Sequence, residues 1–258
     1  MITSTSNERI KQVVQLVKSA KARRKEGLFV VEGERMAREI PKSILKECFV
    51  SEDYLSHGED MSIFEYDVTP EVVSSAVFKK MSDTQSPSGI LCTCRQNVTG
   101  EDELFTKHDA GEFRLLLLEG IQDPGNLGTM LRCAEGAGFD AVIADGNTVD
   151  VYNPKVTRST MGSIFRVPVI YTDDLPSTVD KLKEKSVKVY AAHLQGTTDY
   201  NDEQYGSRLA FLIGNEGNGL SEEISKRADK LLKIPMKGKL ESLNAAIAAA
   251  LLMFNANS

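Results

Sequence analysis

The chain has few of the residues that metal sites and disulfide-stabilised proteins require. Its 258 residues include four cysteines and three histidines. The cysteines lie in apolar surroundings without a paired framework, which favours a reduced, cytosolic protein. The histidines are far apart and share no zinc-like spacing with the cysteines, so we expect no metal site. The residues concerned are His57, His108, His193, Cys48, Cys92, Cys94 and Cys133.

Long hydrophobic runs are also absent. The longest uninterrupted apolar run, Ala245–Phe254, is far shorter than the roughly 20 residues that span a bilayer. We therefore expect a buried helix there and no membrane segment. The first residues, MITSTSNERI, contain no apolar signal segment, so the sequence predicts a cytoplasmic protein.

Acidic residues outnumber basic ones overall, but basic residues are concentrated near the N-terminus. The formal net charge of −6 argues against a protein that coats nucleic acid indiscriminately. From Met1 to Lys25, however, seven basic residues stand against one acidic residue, Glu8. This basic arm is either a solvated helix face or a surface that contacts phosphates, and its composition leaves both interpretations open.

Alternating helical and strand patterns predict an α/β fold in two domains. We predict a domain over residues 1–96, a polar linker without sustained periodicity over 97–113, and a second domain over 114–258. The first domain is expected to begin with a helix over Asn7–Lys21. Its later elements include a strand in SIFEYDV (residues 62–68) and a helix that starts at Pro70, with Thr69 as its N-cap.

The second domain carries six strand patterns, several of them apolar on both faces, which is typical of a parallel sheet covered by helices. Four loops rich in Gly, Asn or Ser follow its strands, and ligands bind at that edge of such sheets. The loops are EGIQDPGNLG, LQGTTD, GNEGNGLS and MKGKLESLN. None has the G-x-G-x-x-G spacing of a dinucleotide site or the phosphate loop G-x-x-x-x-G-K-[ST]. The missing dinucleotide spacing makes a nucleotide-dependent oxidoreductase a distant alternative. No Ser-His-Asp arrangement is recognisable, so an acyl-transfer enzyme is not expected either.

Four motifs in order resemble the TrmH/SpoU branch of the SPOUT RNA methyltransferases. They are DPGNLGTMLRCAEGAG, STMGSIFRVPV, LIGNEGNGLS and IPMKGKLESLNAAIAAAL. RKEGLFVVEGERM and DTQSPSGI are similar to the N-terminal RNA-binding domain of that family, a ribosomal-protein-like α/β unit. The resemblance implies methyl transfer from S-adenosylmethionine (AdoMet) to a ribose 2′-hydroxyl. It also implies a parallel sheet with a deep trefoil knot, a rare exception to unknotted chains, and a homodimer formed through the knotted domain.

Position by position, the resemblance implies the site residues. The implied catalytic residues are Asn126, Arg132, Glu216, Ser242 and Asn244. The implied cofactor-binding residues are Leu194, Gly196, Gly214, Gly219, Ile234, Met236 and Leu243. Ser159 and Thr160 stand where the family usually has alanine and then serine, which puts one local contact in doubt. We expect Arg132 on a mostly buried helix, and Asn126 and Ser242 to act as helix caps as well.

RNA is the implied substrate. Ribosomal RNA of the large subunit is the first choice, and transfer RNA is the alternative. The candidate RNA-binding residues are Lys18, Lys21, Arg23, Arg24 and Arg158. For Arg158 a structural ion pair is an equal alternative. A non-catalytic RNA-binding protein of the same fold is the competing hypothesis. Because a guanidinium is always protonated, Arg132 is a poor base, and we expect it to bind the phosphate and stabilise the developing alkoxide.

Overall fold

The computed structural model of the protein describes residues 1–56 and 68–257. Backbone contacts divide the chain into two compact units. The first unit contains Met1–Asn97 and Asp150–Phe165, and the second contains Val98–Val149 and Arg166–Ser258. Among the described residues, no helix combines the length and apolar character needed to cross a bilayer.

The first unit is built on a four-stranded mixed sheet. Its strands are β1 (Leu28–Glu32), β2 (Leu45–Ser51), β3 (Glu71–Val73) and β4 (Ile90–Arg95). They are arranged in the order β1-β4-β2-β3, with β4 antiparallel to both neighbours and β3 parallel to β2. Its helices are α1 (Glu8–Lys18), α2 (Ala20–Glu26), α3 (Glu34–Arg38), α4 (Glu52–Ser56), α5 (Ser75–Met81) and α8 (Pro154–Ser159), with a 3-10 turn at Ser163–Phe165.

The N-terminal helix differs from its prediction because it is interrupted. Ser19 is extended (φ −130°, ψ 114°), and its hydroxyl accepts a hydrogen bond from the backbone N–H of Ala22. A serine that caps a helix in this way starts a new one. The apolar face of α1 buries Ile10, Val13 and Leu16 against the sheet.

The helix predicted to start at Pro70 is wrong in its position. Residues Glu71–Val73 form β3, and α5 begins only after Ser74, which is its N-cap. The β-branched pair Val72 and Val73 pairs with β2, and this tertiary contact outweighs the local capping signal. The strand predicted in SIFEYDV lies, apart from Val68, outside the described residues.

The second unit contains a seven-stranded sheet in which every pair of neighbours is parallel. This confirms the predicted α/β class and parallel sheet. Its strands are β5 (Phe113–Leu118), β6 (Ala141–Asp145), β7 (Val169–Thr172), β8 (Lys188–Ala192), β9 (Thr198–Asp199), β10 (Arg208–Ile213) and β11 (Lys230–Lys233). The order is β7-β6-β5-β10-β8-β11-β9. Its helices are α6 (Glu101–Lys107), α7 (Pro124–Gly136), α9 (Leu175–Glu184), α10 (Glu222–Arg227) and α11 (Ala245–Asn255).

Two of the predicted domain limits differ from the structure. The segment predicted as an irregular linker contains α6, whose Leu104 and Phe105 are buried in the core of the second unit. Two apolar side chains were too few to show periodicity among the acidic residues around them. In addition, Asp150–Phe165 belongs to the first unit, where the Tyr152 ring packs 4.6 Å from that of Phe29.

Candidate active site

A cavity of about 640 Å³ lies in the second unit at the carboxyl ends of β8, β10 and β11. Pockets that bind small molecules in proteins have volumes of about 300–1,000 Å³. The loops after these three strands and the start of α11 form its walls. Six of the seven predicted cofactor residues line it: Leu194, Gly214, Gly219, Ile234, Met236 and Leu243.

Gly196, the seventh predicted cofactor residue, does not line the cavity but closes a turn next to residues that do. A Cβ atom at Gly196 would lie 2.6 Å from the carbonyl carbon of Leu232. The backbone N–H of Gly196 donates to the carbonyl of His193 (3.0 Å), closing a turn that leaves Leu194 59% exposed. Gly196 therefore supports the cavity wall through the backbone.

The loop after β10 is locked by its own hydrogen bonds. Asn215 and Gly219 exchange two backbone hydrogen bonds (3.1 and 2.9 Å). The Asn215 side chain accepts from the N–H groups of Gly217 and Asn218 and donates to the carbonyl of Gly120. A Cβ atom at Gly214 would lie 2.2 Å from the carbonyl carbon of Gly219. This wall is consequently rigid, and only glycine fits at position 214.

Three of the predicted catalytic residues form one hydrogen-bonded network. Asn244 Nδ2 donates to Asn126 Oδ1 (2.9 Å), and Asn126 Nδ2 donates to Glu216 Oε1 (2.9 Å). The Glu216 carboxylate also accepts from the backbone N–H groups of Gln122 (3.4 Å) and Asp123 (3.3 Å). The network joins the N-terminal ends of α7 and α11 to the loop after β10, and Glu216 also lines the cavity.

Glu216 is ionised at neutral pH in this arrangement. Partial burial raises the pKa of its carboxyl. The hydrogen bonds from Asn126 and from the neighbouring backbone N–H groups lower this pKa, and their combined effect is larger than that of burial. The net result is a pKa below the ordinary value of 4.5. The carboxylate is thus a permanent acceptor that fixes the Asn126 amide and its orientation.

Both predicted helix caps are wrong, because other residues cap those helices. Asp123 caps α7 by accepting from the N–H of Asn126 (2.8 Å). Asn244 caps α11 by accepting from the N–H of Ala246 (2.9 Å). The Asn126 side chain is thereby left for the network, and Ser242 is an exposed residue of the cavity wall.

Arg132 is exposed on α7, contrary to the prediction of a mostly buried position. Its neighbours Leu131 and Ala134 are buried while Cys133 is half-buried, because the helix turns its sides alternately to core and solvent. Within the described part of the chain, the Arg132 guanidinium has no hydrogen-bond or ion-pair partner. It is an available cation in the same helix as Asn126.

Sequence reasoning missed several polar or charged residues of the cavity wall. His193, Gln195, Lys233 and Glu241 all line it. The His193 Nδ1 atom accepts from the backbone N–H of Gln195 (3.1 Å). These residues lie next to residues that the motifs named, and spacing alone gave them no distinguishing signal. The described residues contain no group of three or more His, Cys, Asp or Glu side chains that could hold a metal ion.

Arg23 must be removed from the predicted RNA-binding set. It is 3% exposed, and its guanidinium binds Asp150 (2.7 and 2.8 Å) and the carbonyls of Leu16 (2.7 Å) and Val17 (3.2 Å). A buried arginine with these partners is structural and does not face RNA.

The other predicted RNA-binding residues lie in the first unit. Lys18, Lys21 and Arg24 are exposed on α1 and α2. Arg158 is on α8 and forms an ion pair with Asp83 (3.2 Å), so both interpretations of Arg158 remain open. Beside it, the hydroxyls of Ser159 and Thr160 donate to backbone carbonyls of α8.

Replacement of Lys18, Lys21 and Arg24 together by alanine should weaken RNA binding about tenfold at physiological salt and reduce its salt dependence. The three side chains are exposed and are predicted to contact RNA phosphates, while the cavity predicted to bind the cofactor lies in the second unit. Filter binding over a salt series measures the effect. The matched control replaces Lys183, Lys185 and Lys226, which are ion-paired surface lysines of the second unit. Equal RNA affinity in both triple variants would contradict the assignment.

The parallel sheet, the edge cavity and the asparagine–glutamate network define an α/β protein with a cavity of small-molecule size beside a polar network. A profile of the SpoU rRNA Methylase family matches residues 114–254, and one of the MRM3-like substrate binding domain matches residues 7–92. The chain belongs to the SpoU rRNA Methylase family, which confirms the resemblance.

Three of its relatives match over nearly the whole chain. It is 36% identical over 256 residues to the 23S rRNA (guanosine(2553)-2′-O)-methyltransferase RlmP of Bacillus subtilis (strain 168), covering 98% of each protein. A crystal structure of an RNA 2′-O ribose methyltransferase is 28% identical, with a TM-score of 0.81 over 99% of this chain and 97% of that one. The AdoMet-bound rRNA methyltransferase of Sinorhizobium meliloti is 26% identical, with a TM-score of 0.81 over 99% and 96%.

Proposed function

We propose that the protein transfers the methyl group of AdoMet to a ribose 2′-hydroxyl of 23S ribosomal RNA. The observation that carries the proposal is the double role of Glu216. It lines the 640 Å³ cavity and also holds Asn126 in the hydrogen-bonded network. A cofactor site and an RNA-positioning group therefore meet at one residue. The relationship to RlmP over both units supports the choice of ribosomal RNA.

The cavity suits AdoMet in size and in lining. Leu194, Ile234 and Leu243 offer apolar side chains for the nucleoside. The rigid loop from Gly214 to Gly219 also lines the cavity, and its backbone groups are available for hydrogen bonds to a ligand of matching shape. When bound, AdoMet supplies an electrophilic methyl group on a sulfonium.

Since AdoMet supplies the reactive methyl group, the protein's own part in catalysis is to position the RNA ribose. Methyl transfer needs an attacking oxygen held close and in line, and correct placement alone contributes several kcal/mol. We assign Asn126 and Asn244 to hold the RNA backbone, with Glu216 fixing the Asn126 amide. Arg132 binds the adjacent phosphate and stabilises the negative charge that develops on the 2′-oxygen. Ser242, which lines the cavity, is assigned to the same set of catalytic residues.

The first unit is proposed to bind the RNA substrate. Support comes from the match to the MRM3-like substrate binding domain and from the exposed cations Lys18, Lys21 and Arg24. We keep residues 1–96 as the core of this ribosomal-protein-like domain, with Asp150–Phe165 as an added part, and assign residues 114–149 and 166–258 to the methyltransferase domain.

We further infer that the second unit is knotted. After β11, at one side of β8, the chain returns to α11, which packs against α7 and β10 on the other side. On this path α11 meets the β8–β10 connection, where Asn255 Nδ2 donates to the carbonyl of Tyr200 (2.8 Å). This arrangement is expected when the C-terminal segment passes through that connection, as in the trefoil knot of the family.

The outer face of α11 supports a homodimer. Ile247 and Phe254 are 52% and 49% exposed beside a shallow depression of about 440 Å³. An apolar helix face of this kind is expected to be covered by a partner, and we propose a second copy of this chain. Sedimentation velocity should then give about twice the chain mass of 28.4 kDa. We place the protein in the cytoplasm with its ribosomal RNA substrate.

The test of the proposed function is methyl transfer from labelled AdoMet into separated ribosomal and transfer RNA pools. Label in large-subunit RNA, mapped to a 2′-O-methyl group, is the expected result. Label only in transfer RNA would move the substrate to that class. AdoMet binding without label in either pool would require the same assay on assembling ribosomal particles, and failure there would favour the non-catalytic RNA-binding alternative.

A further inference from the structure

The cavity wall carries an unbalanced set of charges. Its charged side chains are one base, Lys233, and two acids, Glu216 and Glu241. The lining therefore has a net charge of about −1 at neutral pH, by ordinary side-chain pKa values. AdoMet has a sulfonium, an ammonium and a carboxylate, so its net charge is +1. S-adenosylhomocysteine, the product, lacks the sulfonium charge and is neutral. The lining thus complements the substrate form of the cofactor better than the product form.

The two acidic side chains of the cavity wall differ in their hydrogen-bond partners within the protein. Glu216 accepts hydrogen bonds from Asn126, Gln122 and Asp123, which stabilise its charge within the protein. Glu241 is exposed and, among the residues that the structure describes, has no hydrogen-bond or ion-pair partner. Of the two acids that line the cavity, Glu241 is consequently the one whose charge is available to a ligand.

Glu241 is also held at the cavity by its place in the chain. It precedes Ser242 and Leu243, which line the same wall, and Asn244 fixes this stretch by capping α11 and by bonding to Asn126. A carboxylate in this position lies in the part of the wall that is continuous with the network proposed to position the ribose. The methyl-bearing sulfonium must face that network for transfer to occur.

We propose that Glu241 is a specificity-determining residue that distinguishes AdoMet from S-adenosylhomocysteine by the positive charge on sulfur. The inference rests on the proposed function. Attraction between Glu241 and the sulfonium strengthens binding of the substrate form, and loss of that charge on methyl transfer weakens the hold on the product. Glu241 therefore favours exchange of product for fresh cofactor without taking part in the chemical step.

The experiment is calorimetric titration of the full-length wild type and Glu241→Gln with three ligands. They are AdoMet, S-adenosylhomocysteine, and an analogue in which an amine-bearing carbon replaces the sulfonium. The glutamine variant should bind AdoMet and the cationic analogue about fivefold more weakly, as expected for an exposed charge pair in water. Its affinity for S-adenosylhomocysteine should stay within about twofold of wild type, on the same scale. High salt should reduce the difference between the two proteins.

Glu184→Gln is the matched control, because Glu184 is an exposed acid on α9 that does not line the cavity. It should leave all three affinities unchanged. Equal weakening of all three ligands by Glu241→Gln would indicate a structural role, and no change in any of them would mean that Glu241 does not contact the cofactor. Either result overturns the inference. If the wild type binds neither AdoMet nor S-adenosylhomocysteine, the proposed function itself fails.

Discussion

Replacing Arg132 by alanine should lower kcat about a thousandfold while leaving the Kd for AdoMet unchanged. Removing one preorganised group that stabilises developing negative charge costs about 10²–10³ in kcat in other enzymes, and Arg132 is also proposed to bind the phosphate beside the reacting ribose. The guanidinium is exposed and, in the described part of the chain, has no protein partner to lose, so folding should be unaffected. Single-turnover methylation of ribosomal RNA and calorimetric AdoMet titration measure the two quantities.

Two further variants separate charge from geometry. Arg132→Lys keeps the positive charge but lacks the planar fork that binds a phosphate through two parallel hydrogen bonds, so it should recover only a small part of the lost rate. Arg227→Ala removes an arginine of α10 that is paired with Asp180 and Glu223 and should remain fully active. Wild-type kcat in Arg132→Ala would refute the assignment, and a parallel loss of AdoMet affinity would place Arg132 in the cofactor site instead.

Most of the second unit could be predicted from the sequence because its signals are local. The apolar run Leu115–Leu118 is typical of a strand buried on both faces, and β5 lies inside the observed sheet, between β6 and β10. The Gly- and Asn-rich loops mark the edge where the cavity lies. Of the strands described in this unit, β9 was missed, since two residues give no period.

The site network could not be predicted in its contacts, because they join distant parts of the chain. Asn126 and Asn244 are separated by 118 positions, and Asn126 and Glu216 by 90. Each asparagine by itself looks like a helix cap, and only the fold shows that Asp123 takes that role in α7. The family motifs named the right residues for the network without giving its geometry.

Charge was the least reliable guide in the first unit. Arg23 and Arg24 are neighbours in a basic run, and sequence composition treats them alike. In the structure one is buried and the other exposed, since α2 turns Arg23 towards the carbonyls of α1 and towards Asp150. That acid lies 127 positions away, in a segment that the predicted domain limits assigned to the other unit.

This difference predicts opposite results for two adjacent arginines. Arg23→Ala should lower the free energy of unfolding by about 3–5 kcal/mol, because it leaves the Asp150 carboxylate without its partner in a site where side-chain exposure is 16%, as for other broken buried pairs. Arg24→Ala should change stability by less than about 0.5 kcal/mol, as is usual for exposed positions. Urea denaturation of the full chain, with hydrogen exchange followed in Leu16–Glu26, measures both.

The Arg23 and Arg24 variants should also separate stability from RNA binding. At a temperature where both are folded, Arg24→Ala should bind RNA more weakly than Arg23→Ala, because only Arg24 presents its charge to solvent. The double variant Arg23→Met with Asp150→Asn should recover part of the lost stability, since it removes the uncompensated charge and keeps the side-chain volume. Equal stability of Arg23→Ala and wild type would mean that the Arg23–Asp150 pair does not hold Asp150–Phe165 in the first unit. That segment would then need another anchor, with the Tyr152–Phe29 ring contact as the next to test.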